Sequence, residues 1–214
     1  KLPVIKEGQY KGYPRVFAIA LEYLNHTDCA ITEDALIEFI SEYQQISYLL
    51  DVELWSLSSI LKIALIENIK HMCRQISKTQ DQYAAARDAI SEIFEKKQKY
   101  NSVLGPIFKN SLTENFDYIE YIYSAFKKMG KEGINGIKYI DSKLARRRSS
   151  LEHIVDIEHQ KQAAREVSMG NAMTSLRFIM SLDYVKVFES LSQIEKILNE
   201  DYAGIYPKMD NATK

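Results

Sequence analysis

Apolar residues along this chain recur at intervals of three and four, with no sustained two-residue alternation between hairpin signals, and that pattern predicts helices throughout. After a lead-in over 1–13 with Gly8 and Gly12, Pro14 suits the first helical position, where its missing N–H is no loss. Val16, Phe17, Ala20, Leu21 and Leu24 follow at helical spacing, and His26-Thr27-Asp28 closes the segment. Thr32 is the next expected N-cap, with Glu33 and Asp34 placing negative charge over exposed N–H groups. Leu36, Phe39, Ile40, Tyr43 and Ile46 form its stripe. A third helix, opened by Ser47 or Asp51, is expected from about Val52 to Ile76 on Leu54, Leu57, Leu61, Leu65, Asn68 and Met72. Trp55, Ile60, Ala64 and Ile69 widen that stripe, which suits burial against several neighbours.

Ser77 or Thr79 then begins a more polar helix to about Tyr100, with Ala84-Ala85-Ala86 inside it. Gly105-Pro106 breaks the chain, and Thr113 can cap a helix showing Phe116, Ile119, Tyr123 and Phe126. Gly130 and Gly133 bracket a tight reversal, with Ile134, Ile137, Ile140 and Leu144 on the next stripe. Ser150 opens a long segment through Leu182, and Asp183 caps one more helix carrying Val187, Phe188, Leu191, Ile194, Ile197 and Leu198. Gly204, Pro207 and the Asn211 region return to irregular structure. Ile46 to Leu50 is the best strand candidate, short and isolated. The fold class is therefore all-α, an antiparallel multi-helix bundle of roughly eight helices with no sheet. A helical domain over 14–214 follows the lead-in. The Gly-containing joints allow two packed subdomains, 14–104 and 105–214, and no Gly/Ser/Pro-rich linker separates them.

Composition agrees with a folded chain: 46% hydrophobic and 27% charged residues with four prolines in 214. A net charge of −1 gives no global field toward nucleic acid or anionic lipid. Cys29 and Cys73 lie far apart without a partner motif, so they read as small hydrophobes in a reducing compartment. No stretch reaches the roughly 18 apolar residues of a membrane span. Lys1-Leu2-Pro3-Val4 has no initiator Met or signal pattern and Asp210 to Lys214 has no structural punctuation, so both ends are expected to be edges of something longer.

The richest ionisable cluster is Glu152, His153, Asp156, Glu158 and His159. A di-iron carboxylate site needs further carboxylates and a second His at matching spacing, and Glu67 with His71 is one residue off. A polar helix face, with Asp156 near Gln160 and Glu158 near Gln162, explains the cluster more simply. His26, His71, His153 and His159 are too scattered for a zinc site. Gly130, Gly133 and Gly136 lack the strand and the Gly-Lys-Ser/Thr ending of a phosphate loop and read as a helix corner, Gly136 allowing close packing. Arg146-Arg147-Arg148 with Lys138 and Lys143 makes a local basic patch that suits phosphates, anionic headgroups or an acidic partner, or simply a solvated helix end. Fourteen Tyr and one Trp raise a carbohydrate groove as an option, with Tyr118, Tyr121 and Tyr123 clustered; Trp55 reads as a core or interface residue. In Glu166 to Arg177, small residues at 168, 172 and 175 permit close contact, while Asn171 and Arg177 need partners if buried. Glu67 or Glu53 is the candidate partner for Arg177, within a structural polar network. No residue is assigned a catalytic, cofactor-binding or metal role.

Gly12-Tyr13-Pro14-Arg15-Val16, Glu53-Leu54-Trp55 and Leu61 to Ile69 form one ordered block. Glu158-His159-Gln160-Lys161-Gln162-Ala163-Ala164, Ser168 to Arg177, Asp183-Tyr184, Phe188-Glu189-Ser190-Leu191-Ser192 and Met209-Asp210-Asn211-Ala212-Thr213 form a second. Together they resemble the N-terminal helical region of the cyclic β-1,2-glucan synthases, over about 13–75 and 133–214; no motif covers 78–130. The resemblance implies a very large bacterial membrane glycosyltransferase that builds β-1,2-glucan from UDP-glucose, with a divalent metal as an option. It places the helical region on the cytoplasmic face of the inner membrane, before the transferase domain. None of that family's nucleotide-sugar motifs falls on these positions, so no catalytic residue carries over. Where the family tends to have Trp-Ala-Ile-Pro, this chain has Trp55-Ser56-Leu57-Ser58, which predicts an uninterrupted helix.

The reading that follows is a non-catalytic scaffolding or regulatory module. Its expected partner is the transferase domain of the same parent, with the membrane surface met through Arg146, Arg147 and Arg148, and no nucleic acid. The alternative from another class is a carbohydrate- or nucleotide-sugar-binding module.

Overall fold

A computed structural model describes residues 1–109, 115–147 and 150–209, without the side chains of His153, Ile154 and Pro207. Among them the chain is all-α, with eight helices of seven residues or more, one further single turn and no sheet. In chain order these are α1 (Arg15–His26), α2 (Glu33–Gln44), α3 (Asp51–Phe94), the turn α4 (Tyr100–Val103), α5 (Phe116–Lys128), α6 (Ile134–Ala145), α7 (Leu151–Ser181), α8 (Tyr184–Leu191) and α9 (Gln193–Asn199). They form two compact units: residues 1–70 with 167–214, and residues 71–166. The Gly105-Pro106 joint lies within the second.

In the first unit, Val4 and Pro14 pair as an isolated antiparallel bridge, and Ile5 N–H donates to the Tyr13 carbonyl at 2.9 Å. Gly8 and Gly12 both take φ near +85°, which closes this small loop without a Cβ clash (φ 84 and 86). Pro14 is extended and stands just outside α1, which begins at Arg15, one residue later than the sequence suggested. Thr32 caps α2 by accepting from Ala35 N–H at 3.3 Å, as expected. The core joins Val16, Ala20, Tyr23 and Leu24 of α1, Leu36 and Ile40 of α2, and Leu54, Leu57, Leu61 and Leu65 of α3 to Ala172, Ile179, Val187 and Leu191, all buried. Each buried Leu or Ile removes apolar area worth about 1.5–3 kcal/mol from water. Ile46, expected on the α2 stripe, lies beyond the helix and is 91% exposed. Ile46 to Leu50 is a connection rather than a strand.

The expected break at Ser77 or Thr79 is absent: α3 runs unbroken for 44 residues and ends at Phe94 instead of near Tyr100. Ser and Thr cost well under ~1 kcal/mol in a helix interior, and the Thr79 hydroxyl is satisfied by the Asp117 carboxylate at 2.9 Å. Termination waits for Lys97, whose φ of +51° is incompatible with a continuing helix. The uninterrupted helix expected from Ser58 in place of proline is found. A second difference lies at Ser192, whose extended backbone splits the expected last helix into α8 and α9 (ψ 126°). Its buried hydroxyl caps α9 through Glu195 N–H at 3.3 Å.

The second unit is centred on Phe126, buried among Ala86, Ala89, Ile93, Leu104, Ile122 and Ile140. Phe94 and Tyr100 meet its ring edge-on at centroid distances of 5.8 and 5.9 Å. The reversal between α5 and α6 carries Gly130 at φ +60°, and a Cβ on Gly136 would sit 2.3 Å from the Phe126 ring. Glycine there allows α6 to pack closely on α5. The Thr113 cap lies outside the described residues; α5 begins after Asn115.

Candidate functional site

The polar groups of the first unit are organised around Glu53, which is fully buried in the first turn of α3 (0% exposed). Arg15, the first residue of α1, donates Nε to Oε1 at 2.7 Å and Nη2 to Oε2 at 2.6 Å. The same guanidinium donates to Ser47 Oγ at 3.0 Å and to the Tyr48 carbonyl at 2.7 Å. Leu50 N–H adds a third donor to the carboxylate at 3.0 Å. The Glu53 hydrogen bonds, ahead of burial, hold the Arg15 guanidinium above its ordinary value. Glu53, one of the two candidates for Arg177, is thus taken by Arg15, and Arg177 itself is exposed.

A second network clamps the bend after α1. Asp28 and Cys29 are successive left-handed residues, at φ +48° and +64°, a conformation unfavourable by about 1–2 kcal/mol per non-glycine residue. Asn171 Nδ2 donates to the Asp28 carbonyl at 3.1 Å, and the buried Ser175 hydroxyl donates to the Cys29 carbonyl at 2.7 Å. Ser175 Oγ also accepts Ile31 N–H at 2.9 Å, while Asn68 Nδ2 reaches Cys29 Sγ at 3.4 Å. Burial, outweighing that contact, pushes the Cys29 thiol up and keeps it protonated. Asn171 and Ser175, four apart on α7, thus hold the strained bend, the polar network expected of this segment.

Trp55 stacks on Phe188 at 4.2 Å between ring centroids, with Tyr184 at 6.5 Å, yet stays 49% exposed. It is a ledge, neither sealed in the core nor wholly free. The Tyr184 hydroxyl donates to the Leu54 carbonyl at 2.5 Å, and burial raises its pKa. Gln44, also buried, donates to the Leu191 carbonyl at 3.0 Å.

In the second unit Glu152, Asp156 and His159 are exposed, as a polar helix face requires, and the side chain of His153 lies outside the described residues. Glu158 pairs with Arg165 at 2.5 Å, and Gln162 donates to Glu166 at 3.0 Å, so the local pairs differ from those expected. Among the described residues no three His, Cys, Asp or Glu gather where they could hold a metal ion. Tyr118 is buried in the Phe126 core, where burial, then Glu92, pushes its hydroxyl up to about 12, so the three-tyrosine cluster does not line a groove as a set. Arg146 and Arg147 follow α6, with Arg148 outside the described residues. The fold brings Lys109, 34 or more positions earlier and unmarked by any motif, into one pocket with Lys143, Arg146 and Arg147. No helix among the described residues is long and apolar enough to cross a membrane.

These features define a helical module in which Glu53, Gln44, Ser175 and Ser192, the buried polar residues of the first unit, bond to its own backbone and side chains. The chain is distantly similar to the cyclic beta-(1,2)-glucan synthase NdvB of Rhizobium meliloti (strain 1021), 25% identical over 194 residues. The match covers 90% of this chain and spans 7% of the length of that protein. No protein-family model matches the chain.

Proposed function

We propose that this chain is a non-catalytic helical module of a glucan-synthase-like glycosyltransferase, supporting or regulating a transferase domain that makes β-1,2-glucan from UDP-glucose at the cytoplasmic face of a membrane. The observation that carries this reading is how residues from separate stretches of the family resemblance meet in space. Arg15 grips Glu53, Trp55 stacks on Phe188, and the Tyr184 hydroxyl bonds the Leu54 carbonyl. Residues serving chemistry would converge on a pocket; these converge on each other and fix helix positions. The distant similarity to a glucan synthase over 90% of the chain supports the same parent. The transferase domain of that parent is the proposed partner.

Crosslinking the chain to the transferase domain tests this partnership. Crosslinks confined to the chain's exposed faces are the expected result; none under conditions that capture other intramolecular neighbours contradicts it.

A second reading, sugar binding, is favoured by the half-exposed Trp55 ring, whose backing by Phe188 resembles a stacking platform. Titration of the chain with β-1,2-glucan separates the two: Trp fluorescence that shifts saturably supports the platform, and a flat response at millimolar sugar removes it.

A further inference from the structure

The basic residues of the second unit form a built feature that the supporting role does not use. Lys109, Lys143, Arg146 and Arg147 line a single pocket of about 410 Å³ together with Asn101 and Gly105, and none of its described lining residues is acidic. That volume falls within the roughly 300–1,000 Å³ typical of small-molecule sites. Basic side chains near the end of α6 complement the negative pole of that helix, but Lys109 belongs to a different segment and is not accounted for in this way. The floor is fixed. Arg147 donates to the Phe108 carbonyl, and Tyr139 donates to Asn101 Oδ1 at 2.9 Å. Lys143 reaches the same oxygen at 3.5 Å and lies over the Tyr139 ring at 5.1 Å. With its carbonyl oxygen so engaged, Asn101 offers its amide donors. Gly105 is needed for the turn, because a Cβ there would fall 2.2 Å from the Asn101 backbone carbonyl oxygen.

We propose that this pocket binds a phosphate-bearing ligand. Lys109, Lys143 and Arg146 place three like charges around one cavity, and an anion there would relieve their mutual repulsion. Arginine's planar fork and lysine's compact charge are the groups that bind phosphate oxygens best. The chemistry is shared by a soluble phosphorylated small molecule and a phospholipid headgroup, and the proposal stands independently of the glucan-synthase reading.

The test uses the full chain, inorganic pyrophosphate, and vesicles of phosphatidylglycerol or phosphatidylcholine. Lys109→Gln with Arg146→Gln is the variant, because both residues are exposed and neither anchors the pocket floor, and circular dichroism checks that its helices remain. Saturable pyrophosphate binding, weakened roughly tenfold or more in the variant, is expected. Sedimentation with phosphatidylglycerol but not phosphatidylcholine vesicles, lost in the same variant, assigns the ligand to a headgroup. Pyrophosphate binding without vesicle binding assigns it to a soluble phosphate. Binding of neither probe, or binding that survives the double substitution, overturns the proposal.

Discussion

Arg15 and Glu53 meet in a two-pronged ion pair, 2.6 and 2.7 Å, that ties the first residue of α1 to the first turn of α3 across 38 positions of sequence. Breaking a buried pair from one side strands the other charge, which destabilises by about 3–5 kcal/mol, whereas replacing both partners with apolar groups is often near neutral. Arg15→Met is therefore expected to lower the urea midpoint strongly, and Arg15→Met with Glu53→Met to recover most of the loss. A single substitution that unfolds like the parent chain would show that the pair does not staple these helices.

Two glycines on helices should respond in opposite directions. Gly136→Ala drives a methyl into the Phe126 ring, and overpacking of this kind costs about 1–3 kcal/mol. Gly170, in the interior of α7, has open space where a Cβ would stand, so Gly170→Ala is expected to stabilise by about 0.5–1 kcal/mol. Thermal melts of the two variants, moving opposite ways, are the check.

Ser175→Ala removes a donor to the Cys29 carbonyl and an acceptor for Ile31 N–H at a buried position, an expected loss of about 1–3 kcal/mol. Asn171→Ala, whose bond to the Asp28 carbonyl is solvent-exposed, should cost less. Hydrogen exchange at Ile31 N–H reports the first change locally: faster exchange in Ser175→Ala is expected, and unchanged protection would contradict the clamp.

The helical fold was legible because its signals are local. Thr32 and Asp183 both cap the helices they were expected to cap, and the leucines of α3 fall on its buried stripe. Thr79 misled for the same reason: a hydroxyl residue reads as a cap until its partner, Asp117, is known from another helix. Ser192 hid a real break, its extended backbone leaving no trace in the apolar periodicity of 187–198. Long-range relationships were least visible. Asn171 was recognised as a residue needing a partner, but the left-handed bend it serves carries no glycine to announce it. Glu53 was one of two candidates for Arg177 but holds Arg15, and Lys109 shows its place beside Arg146 only once the chain is folded.

Alkaline pH should loosen the second unit. Tyr118 ionises near 12 in the folded chain and near 10 when exposed, so the unfolded state releases its proton first. Its contribution is intact below pH 10 and is lost as pH rises from 10 through 12. Tyr23, Tyr83 and Tyr184, each raised chiefly by burial, shift stability in the same direction. Urea midpoints measured from pH 9 to 11.5 should fall more shallowly for Tyr118→Phe than for the unsubstituted chain. Identical slopes would contradict the assignment.

The proposed supporting role in glucan synthesis is tested most directly by incorporation of labelled glucose from UDP-glucose, in membranes carrying the proposed parent enzyme with or without residues 14–209. Deletion is expected to lower incorporation sharply, the chain supplied separately to restore part of it, and the chain alone to make no glucan. Undiminished incorporation by the deleted enzyme would contradict that role.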